Sequence, residues 1–350
     1  MSRGAPVPPA ALGSGVTILV TGGSGLLGSH VIEALRARDV PVRALVRSGA
    51  APVVRSLGAE PVIGDVADPR TWSQAIAGGI AGIVHAAAVV DQEANPASYA
   101  VNVTGTRCAI EAARAAGARL VHVSSVSVYG GSADYSPAQE RRTEDFPFRP
   151  LAPRDGYARS KREAEELVRS AAESGGLTAI AIRPNVIYGE RDRLFTPRLA
   201  RAVRSPIVPV IGSGNNHLSC VYAGNVAQAI VAALDAPCAG FRAFNVTTDA
   251  APLLTMREFL AAIAEACGVR ARFVHLPTGV ARFAIVLWAG PTLARAALAF
   301  VTGENPHSSE RARAELGWTP AVSTREGIAR AVRWVRANEK PGSRPGLRPF

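Results

Sequence analysis

The stretch that constrains this chain most is residues 16–35, "VTILVTGGSGLLGSHVIEAL". A short β-branched run leads straight into glycines at 22, 25 and 28, and then into a helix whose apolar stripe is Leu27, Val31, Ile32 and Leu35. A strand that passes through a glycine turn directly into an amphipathic helix leaves little choice of fold. Gly22, Gly25 and Gly28 permit a tight turn, close approach of backbone to a pyrophosphate, and close helix–strand packing, while free N–H groups of the first helical turn point at the phosphates. Ser24, Leu26 and Leu27 complete the loop and that first turn. A glycine pattern alone is weak evidence; between a buried strand and an amphipathic helix it indicates a dinucleotide site.

The same alternation continues downstream. "VRALV" (42–46), "PVIG" (61–64), "GIVHA" (82–86), "RLVHVSS" (119–125) and "TAIAIR" (178–183) read as buried parallel strands between alanine-rich segments of helical period. Such an order implies βαβ units and an α/β, doubly wound parallel sheet with helices on both faces. After residue 190 the rhythm breaks into Pro/Gly-rich loops such as 205–216. "FRAFNV" (241–246) reads as a late strand rejoining the sheet, and 255–302 as mostly helical. The expected organisation is a disordered arm at 1–14, a dinucleotide-binding domain at 15–190 with a return contribution near 220–247, a smaller C-terminal substrate-binding domain mainly at 191–338, and a disordered tail at 339–350.

Composition narrows the function classes. Over 350 residues, 48% hydrophobic and 19% charged describes a folded chain with a sizeable core. Cys108, Cys220, Cys238 and Cys267 are far apart with no C-x-x-C, which suggests reduced thiols in a cytoplasmic setting. The six histidines fall in no ligand spacing, so no metal is expected. The segment before the first strand lacks an apolar h-region and reads as a loose arm rather than a signal peptide. The uncharged stretch 283–294, bounded by Arg282 and Arg295 and broken by Pro291, is too short to span a bilayer. A net charge of +11 suits an anionic partner, but the arginines are spread without a dense basic block or interleaved aromatics, which argues against nucleic acid.

The end of the second strand selects the dinucleotide. An Asp or Glu there would hold the ribose hydroxyls of NAD. Residues 42–50 contain no acid; Arg47 and Ser48 stand in its place, with Arg43 nearby. An arginine can bond a 2′-phosphate that no carboxylate repels, so NADP(H) is favoured over NAD(H). Asp65, in "GDVADP", is a candidate adenine contact together with Val66; its alternative is a simple loop cap.

In "YARSKREAEELV" (157–168), Tyr157 and Lys161 lie one helical turn apart on one face. Alone the pair could equally be a helix anchor and a solvated lysine. With the dinucleotide loop and the serine-ended strand "VHVSSVSVYG" (121–130) upstream, the chain resembles the extended short-chain dehydrogenase/reductase superfamily over roughly residues 16–335. "HAAA" (85–88), "VNVTGT" (101–106), "RPNVIYG" (183–189) and "ELGWTP" (315–320) are similar to family motifs. The resemblance implies a Rossmann-type fold in which Tyr157 is the general acid/base, Lys161 holds the cofactor ribose and lowers the tyrosine pKa, Ser125 binds the substrate oxygen and Asn102 supports the proton path. It implies further cofactor contacts at Ala86, Ala87, Ala88, Asn102, Ser124, Pro184 and Val186, with Ser124 alternatively structural. Lowering a phenol from near 10 by ~3 units corresponds to ~4 kcal/mol of preference for the phenolate. A homodimer is also a family expectation.

The superfamily spans reductases, epimerases and dehydratases, so fold does not settle the reaction. Nucleotide-sugar members carry an Arg-Asp pair where "GSGNNHLSCVYAGNVA" (212–227) has Leu218 and Ser219, and a later arginine is missing from "TGENPHSSE" (302–310). The chain looks more like the 3β-hydroxysteroid dehydrogenase and dihydroflavonol reductase branch, which implies a secondary alcohol/ketone interconversion on a lipophilic small molecule. A sugar epimerase or dehydratase, and a cofactor-sensing protein without turnover, are the alternatives. The apolar segment 276–302 fits a lid, an interfacial helix contacting a membrane peripherally, or a core-covering helix pair.

Overall fold

The computed structural model describes residues 15–90, 95–130, 142–153 and 155–339. The expected arm at 1–14 lies outside the described residues, as does the expected tail apart from Glu339. Strands and helices alternate through the first half: β1 Ile18–Thr21, α1 Leu26–Arg36, β2 Val42–Val46, α2 Ala51–Ser56, β3 Glu60–Ile63, α3 Pro69–Ala75 and β4 Gly82–His85. They continue with α4 Pro96–Tyr99, α5 Gly105–Ala116, β5 Arg119–Val123, α6 Gly156–Glu173 and β6 Ala179–Pro184. The second half adds β7 Val186–Tyr188, α7 Phe195–Ala202, β8 Ile207–Ile211, β9 Cys220–Tyr222, α8 Ala223–Asp235 and β10 Phe241–Val246. It ends with α9 Met256–Cys267, β11 Arg272–Leu276, α10 Thr278–Thr302, α11 Glu310–Leu316 and α12 Thr324–Asn338.

Seven strands form one parallel sheet in the order β3-β2-β1-β4-β5-β6-β10. The chain therefore winds outward from β1 in one direction, then crosses to β4 and winds outward in the other. Between β1 and β4 the two carboxyl ends diverge, and such a switch point is where doubly wound sheets bind ligands.

Side-chain alternation along the strands builds two cores. Ile18, Val20, Val84, Val121 and Ile180 face α1 and α8, where Val31, Ile32, Leu35, Val226 and Ile230 meet them. Leu19, Leu45, Ile83, Leu120 and Ala179 point to the opposite face, against Trp72, Ile110, Ala113 and Val168. Ile32 is fully buried, and truncating such a side chain to alanine costs ~2–5 kcal/mol. A third core beyond the sheet joins Tyr188, Val208, Val210, Phe259, Ile263, Ile328 and Val332.

Two strands depart from the expected loops and helices of the second half. Residues 207–211 alternate exposed Ile207 and Pro209 with buried Val208 and Val210, and pair in parallel with 272–276. Proline suppressed the strand signal, yet in a two-stranded sheet Pro209 can use an edge that needs no N–H donor.

Candidate active site

At the switch point the glycine turn is pressed against the end of β4. Gly22 has φ +70°, and a Cβ there would lie 2.8 Å from the Ala87 nitrogen and 2.9 Å from the Ala86 carbonyl. A Cβ on Gly28 would lie 2.2 Å from the Gly22 oxygen, so any side chain would force α1 away from the turn. The α1 N-cap is Gly25, with no side-chain cap and no acid in the first turn. The positive end of the helix and its first amides, including those of Leu26 and Leu27, therefore suit an anion. Ser24 and Leu26 are half-buried, and Leu27 is part of the core. This cradle fits the pyrophosphate of a dinucleotide.

A pair the sequence reading left aside holds the cradle's walls together. Thr21 Oγ1 accepts a hydrogen bond from the Ala87 amide at 3.1 Å and lies 2.9 Å from His85 Nδ1. Burial, assisted by Lys161, holds the His85 pKa down at about 3, so the ring is neutral. His122, its register partner on β5, stacks on it at 5.9 Å and is likewise depressed by burial. Ala86 and Ala87 are half-buried and Ala88 is exposed.

At the adenosine end, Arg47 and Ser48 are exposed just beyond β2. Arg43 is not with them: its guanidinium donates to the carbonyls of Ala75 at 2.9 Å and Ala77 at 2.7 Å, on the α3 side of the sheet. Asp65 is exposed, and its Oδ1 accepts from the Ala67 amide at 2.8 Å, which is the loop cap weighed above. Val66 gives its carbonyl to Trp72 Nε1 at 2.9 Å and packs on Gly105.

The chemistry-bearing side chains converge where β5 ends. Tyr157 and Lys161 project from the first turns of α6, and Ser125 is the second residue after β5. Ser125, whose hydroxyl accepts from the Ser127 amide at 3.2 Å, stands close enough to the Tyr157 hydroxyl to draw its pKa down. The Lys161 ammonium, 3% exposed, donates to the Val123 carbonyl at 2.7 Å. Burial lowers the Lys161 pKa to about 8, opposed by the Glu165 carboxylate one turn later. Burial also pushes Tyr157 up to about 12, with Ser125 pulling the other way. In the chain by itself burial outweighs its neighbours at this phenol. Removing water disfavours the phenolate, and the ammonium is engaged with a strand carbonyl instead.

Asn102 sits in a π-helical turn, Ala100–Thr104, between α4 and α5. Its side chain accepts from the Val89 amide at 2.8 Å and donates to the Val89 carbonyl and to Ser160 Oγ, both at 3.0 Å. Ser160 in turn donates to the Tyr157 carbonyl at 2.8 Å. The amide therefore braces the segment after β4 against the start of α6.

Ser124 points elsewhere. Its hydroxyl donates to Glu165 Oε2 at 2.6 Å and is buried, the structural arrangement given above as the alternative to a cofactor contact. Glu165 also receives Arg183 Nε at 3.0 Å, and Arg183 Nη1 donates to Tyr129 Oη at 2.6 Å. Tyr129 passes a hydrogen bond to Asn245 at 2.8 Å, tying in β10. Arg162 donates to the carbonyls of Val128 and Arg149 at 2.8 and 2.7 Å, fixing the turn after Ser125 to α6. None of Glu165, Arg183, Tyr129, Asn245 and Arg162 was singled out from sequence. The available signals were Glu165 spaced four after Lys161, and a charge at 183 ending an apolar strand, which needs a buried partner. Pro184 is buried at the end of β6, and Val186 is exposed in β7.

In the second half, Leu218 and Ser219 are buried. Ser219 Oγ donates to Asn305 Oδ1 at 3.1 Å, while Asn185 and Asn305 donate to the Thr247 carbonyl at 2.9 and 2.8 Å. This is a neutral amide and hydroxyl network. Among the described residues, no cluster of His, Cys, Asp and Glu could hold a metal, and no helix is long and apolar enough to cross a membrane.

The cradle and the edge beside it define a nicotinamide-dinucleotide-dependent oxidoreductase. Comparisons with known proteins agree. The model of the NAD dependent epimerase/dehydratase family matches residues 18–247. A ketoreductase of Stigmatella aurantiaca, 4-hydroxy-2-methyl-3-oxo-4-farnesyl-3,4-dihydroquinoline-1-oxide ketoreductase, is 35% identical over 88% of this chain and 93% of its own. The 2-alkyl-3-oxoalkanoate reductase of Stenotrophomonas maltophilia is 32% identical over 89% of this chain and 97% of its own. The solved structure of Thermus thermophilus UDP-glucose 4-epimerase in complex with NAD is similar with a TM-score of 0.68 at 26% identity, covering 93% of this chain and all of that one. The chain belongs to the NAD-dependent epimerase/dehydratase family, within the extended short-chain dehydrogenases/reductases.

Proposed function

We propose that this protein interconverts a ketone and a secondary alcohol on a hydrophobic small molecule, with NADP(H) as cofactor. The observation that supports the reading is the gathering of Tyr157, Ser125 and Lys161 where β5 ends, two strands along the sheet from the strand that enters the glycine turn. A bound nicotinamide dinucleotide supplies the hydride to the carbonyl carbon, or takes it from the alcohol carbon. With its pKa held up at about 12, Tyr157 is a neutral phenol at physiological pH, the form that donates a proton to an oxygen becoming an alkoxide. Ser125, beside Tyr157, steadies the same oxygen. Lys161, anchored on Val123, holds the ribose and provides positive charge beside the reacting groups. Asn102 and Ser160 keep the start of α6 in register with the cradle, so that the phenol is aimed before substrate arrives.

Exposed Arg47 and the absence of an acid after β2 support NADP(H). A hydrophobic keto substrate is supported by the names of the two ketone-reducing relatives and by the neutral network around Ser219, which offers a diphosphate no guanidinium. The division into a dinucleotide-binding half and a substrate-binding half after residue 190 belongs to the same proposal. The test is cofactor oxidation by purified protein with a 2-alkyl-3-oxo acid and, separately, with UDP-glucose. Ketone-dependent NADPH consumption is the expected result. Inversion of the sugar without net cofactor turnover would replace this reading with an epimerase, and cofactor binding without either reaction would replace it with a sensor.

A further inference from the structure

Helix α10 carries an outward apolar face that nothing else in the described chain covers. Val280 is 55% exposed, Phe283 68% and Leu287 72%. At 100° per residue these three lie within about 60° of one another on the helix. A kink at Gly290 (φ +84°) divides the helix. The part that carries this face is seated through buried Ala281. The part beyond the kink is anchored by buried Ala294 and Leu298, by Phe300 edge-on against Phe195 at 6.0 Å, and by Asn216 donating to the Val301 and Gly303 carbonyls at 3.0 and 2.9 Å. The strand feeding into α10 adds Val274, 40% exposed. A seated helix with protruding large apolar side chains marks a surface meant to be covered.

The charge around this face narrows what covers it. Between Glu265 and Glu304 the sequence contains four arginines, one histidine and no acidic residue. Arg270, Arg272 and Arg282 are exposed and, among the described residues, none has a carboxylate partner. The apolar ridge thus stands in an uncompensated basic field on a chain of net charge +11. A second copy of the same chain would bring that basic field against itself. An anionic bilayer matches both features: Phe283 and Leu287 enter the acyl boundary while the arginine stems extend to the headgroups.

We propose that the β11–α10 segment is a peripheral docking surface for an anionic membrane, with Phe283 and Leu287 as its wedge. The surface does not depend on the substrate reading above, although it would present a lipid-dissolved ketone to the second half of the molecule.

The experiment is co-sedimentation of the full chain with vesicles of phosphatidylcholine alone, and of phosphatidylcholine containing about one third phosphatidylglycerol. Wild type is expected to bind the anionic vesicles, to bind the neutral ones at least about tenfold less, and to be released by rising salt. The double variant Phe283→Ser/Leu287→Ser is expected to lose at least about tenfold in binding, with its thermal transition and its turnover of a short, water-soluble 3-oxo ester unchanged. Equal binding to both vesicle types, or undiminished binding of the variant, would overturn the proposal. So would a wild-type dimer that ignores vesicles and becomes a monomer in the variant, which would assign the face to self-association. Vesicle binding is read without catalysis, so it stands or falls separately from the proposed reaction.

Discussion

Helices α6 and α10 break the usual rule of burial in opposite senses. In α6, Lys161 and Glu165 are buried where charge is costly, and each is answered by a specific partner, Val123 for the ammonium and Ser124 with Arg183 for the carboxylate. In α10, Phe283 and Leu287 stand in solvent where apolar surface is costly, and no described group answers them. The comparison teaches that an unfavourable placement satisfied inside the chain builds a fixed site. One left unsatisfied on the surface points to something outside the chain.

The sharpest way to break the α6 side is Tyr157→Phe, which leaves packing intact and removes the proposed proton donor. Turnover should fall by ~10²–10⁴-fold with an unchanged melting curve; retained turnover would remove Tyr157 from the chemistry. Glu165→Ala should destabilise the fold by ~3–5 kcal/mol in urea denaturation, because Arg183 would be left buried without its carboxylate. A loss below ~1 kcal/mol would show that water or Tyr129 can replace it.

Lys161→Met tests the price of burying the amine through pH. The Lys161 pKa is lowered from 10.5 to about 8, so the unfolded chain binds more protons between those values. Wild type should accordingly gain stability over Lys161→Met as pH rises through that window, by up to ~3 kcal/mol, and show no such relative gain below about 8. Buried His85, with its pKa near 3, has the matching acid signature. The unfolded state takes up the proton first, so stability falls as pH drops from 6.5 toward 3, by ~1.4 kcal/mol per pH unit.

Smaller effects sharpen the contrast. If Arg47 is the phosphate partner proposed above, Arg47→Asp exchanges it for a ribose-hydroxyl acceptor and should shift the ratio of kcat/KM for NADPH over NADH by about tenfold toward NADH, roughly 1.4 kcal/mol. An unchanged ratio would place the 2′-phosphate elsewhere. Phe283→Ser on α10 should change folding stability by no more than ~0.5 kcal/mol, against ~3 or more for a buried phenylalanine such as Phe259. A large loss would mean that the ridge is covered within the molecule.

Much of this was legible before any coordinates. The strand–glycine–helix unit at 16–35, the stripe of Leu27, Val31, Ile32 and Leu35, and the one-turn offset of Tyr157 and Lys161 are local patterns, and period and steric permission translate directly into backbone and face. The same local logic missed β8, where Pro209 masked the alternation of Val208 and Val210, and left Arg43 beside the cofactor edge although its side chain leaves on the other face.

By itself the sequence determined the order of the sheet's building units, the glycines where backbone must touch backbone, and the one-turn offset of Tyr157 and Lys161 on a helix. Only the tertiary structure decided that Ser125 stands beside Tyr157 while Ser124 turns to Glu165, that burial raises the phenol's pKa, and that one face of α10 is left bare. The reason is range. Steric permission and periodicity act over a few neighbouring residues, whereas desolvation and charge pairing depend on what segments dozens of positions away bring to the same point.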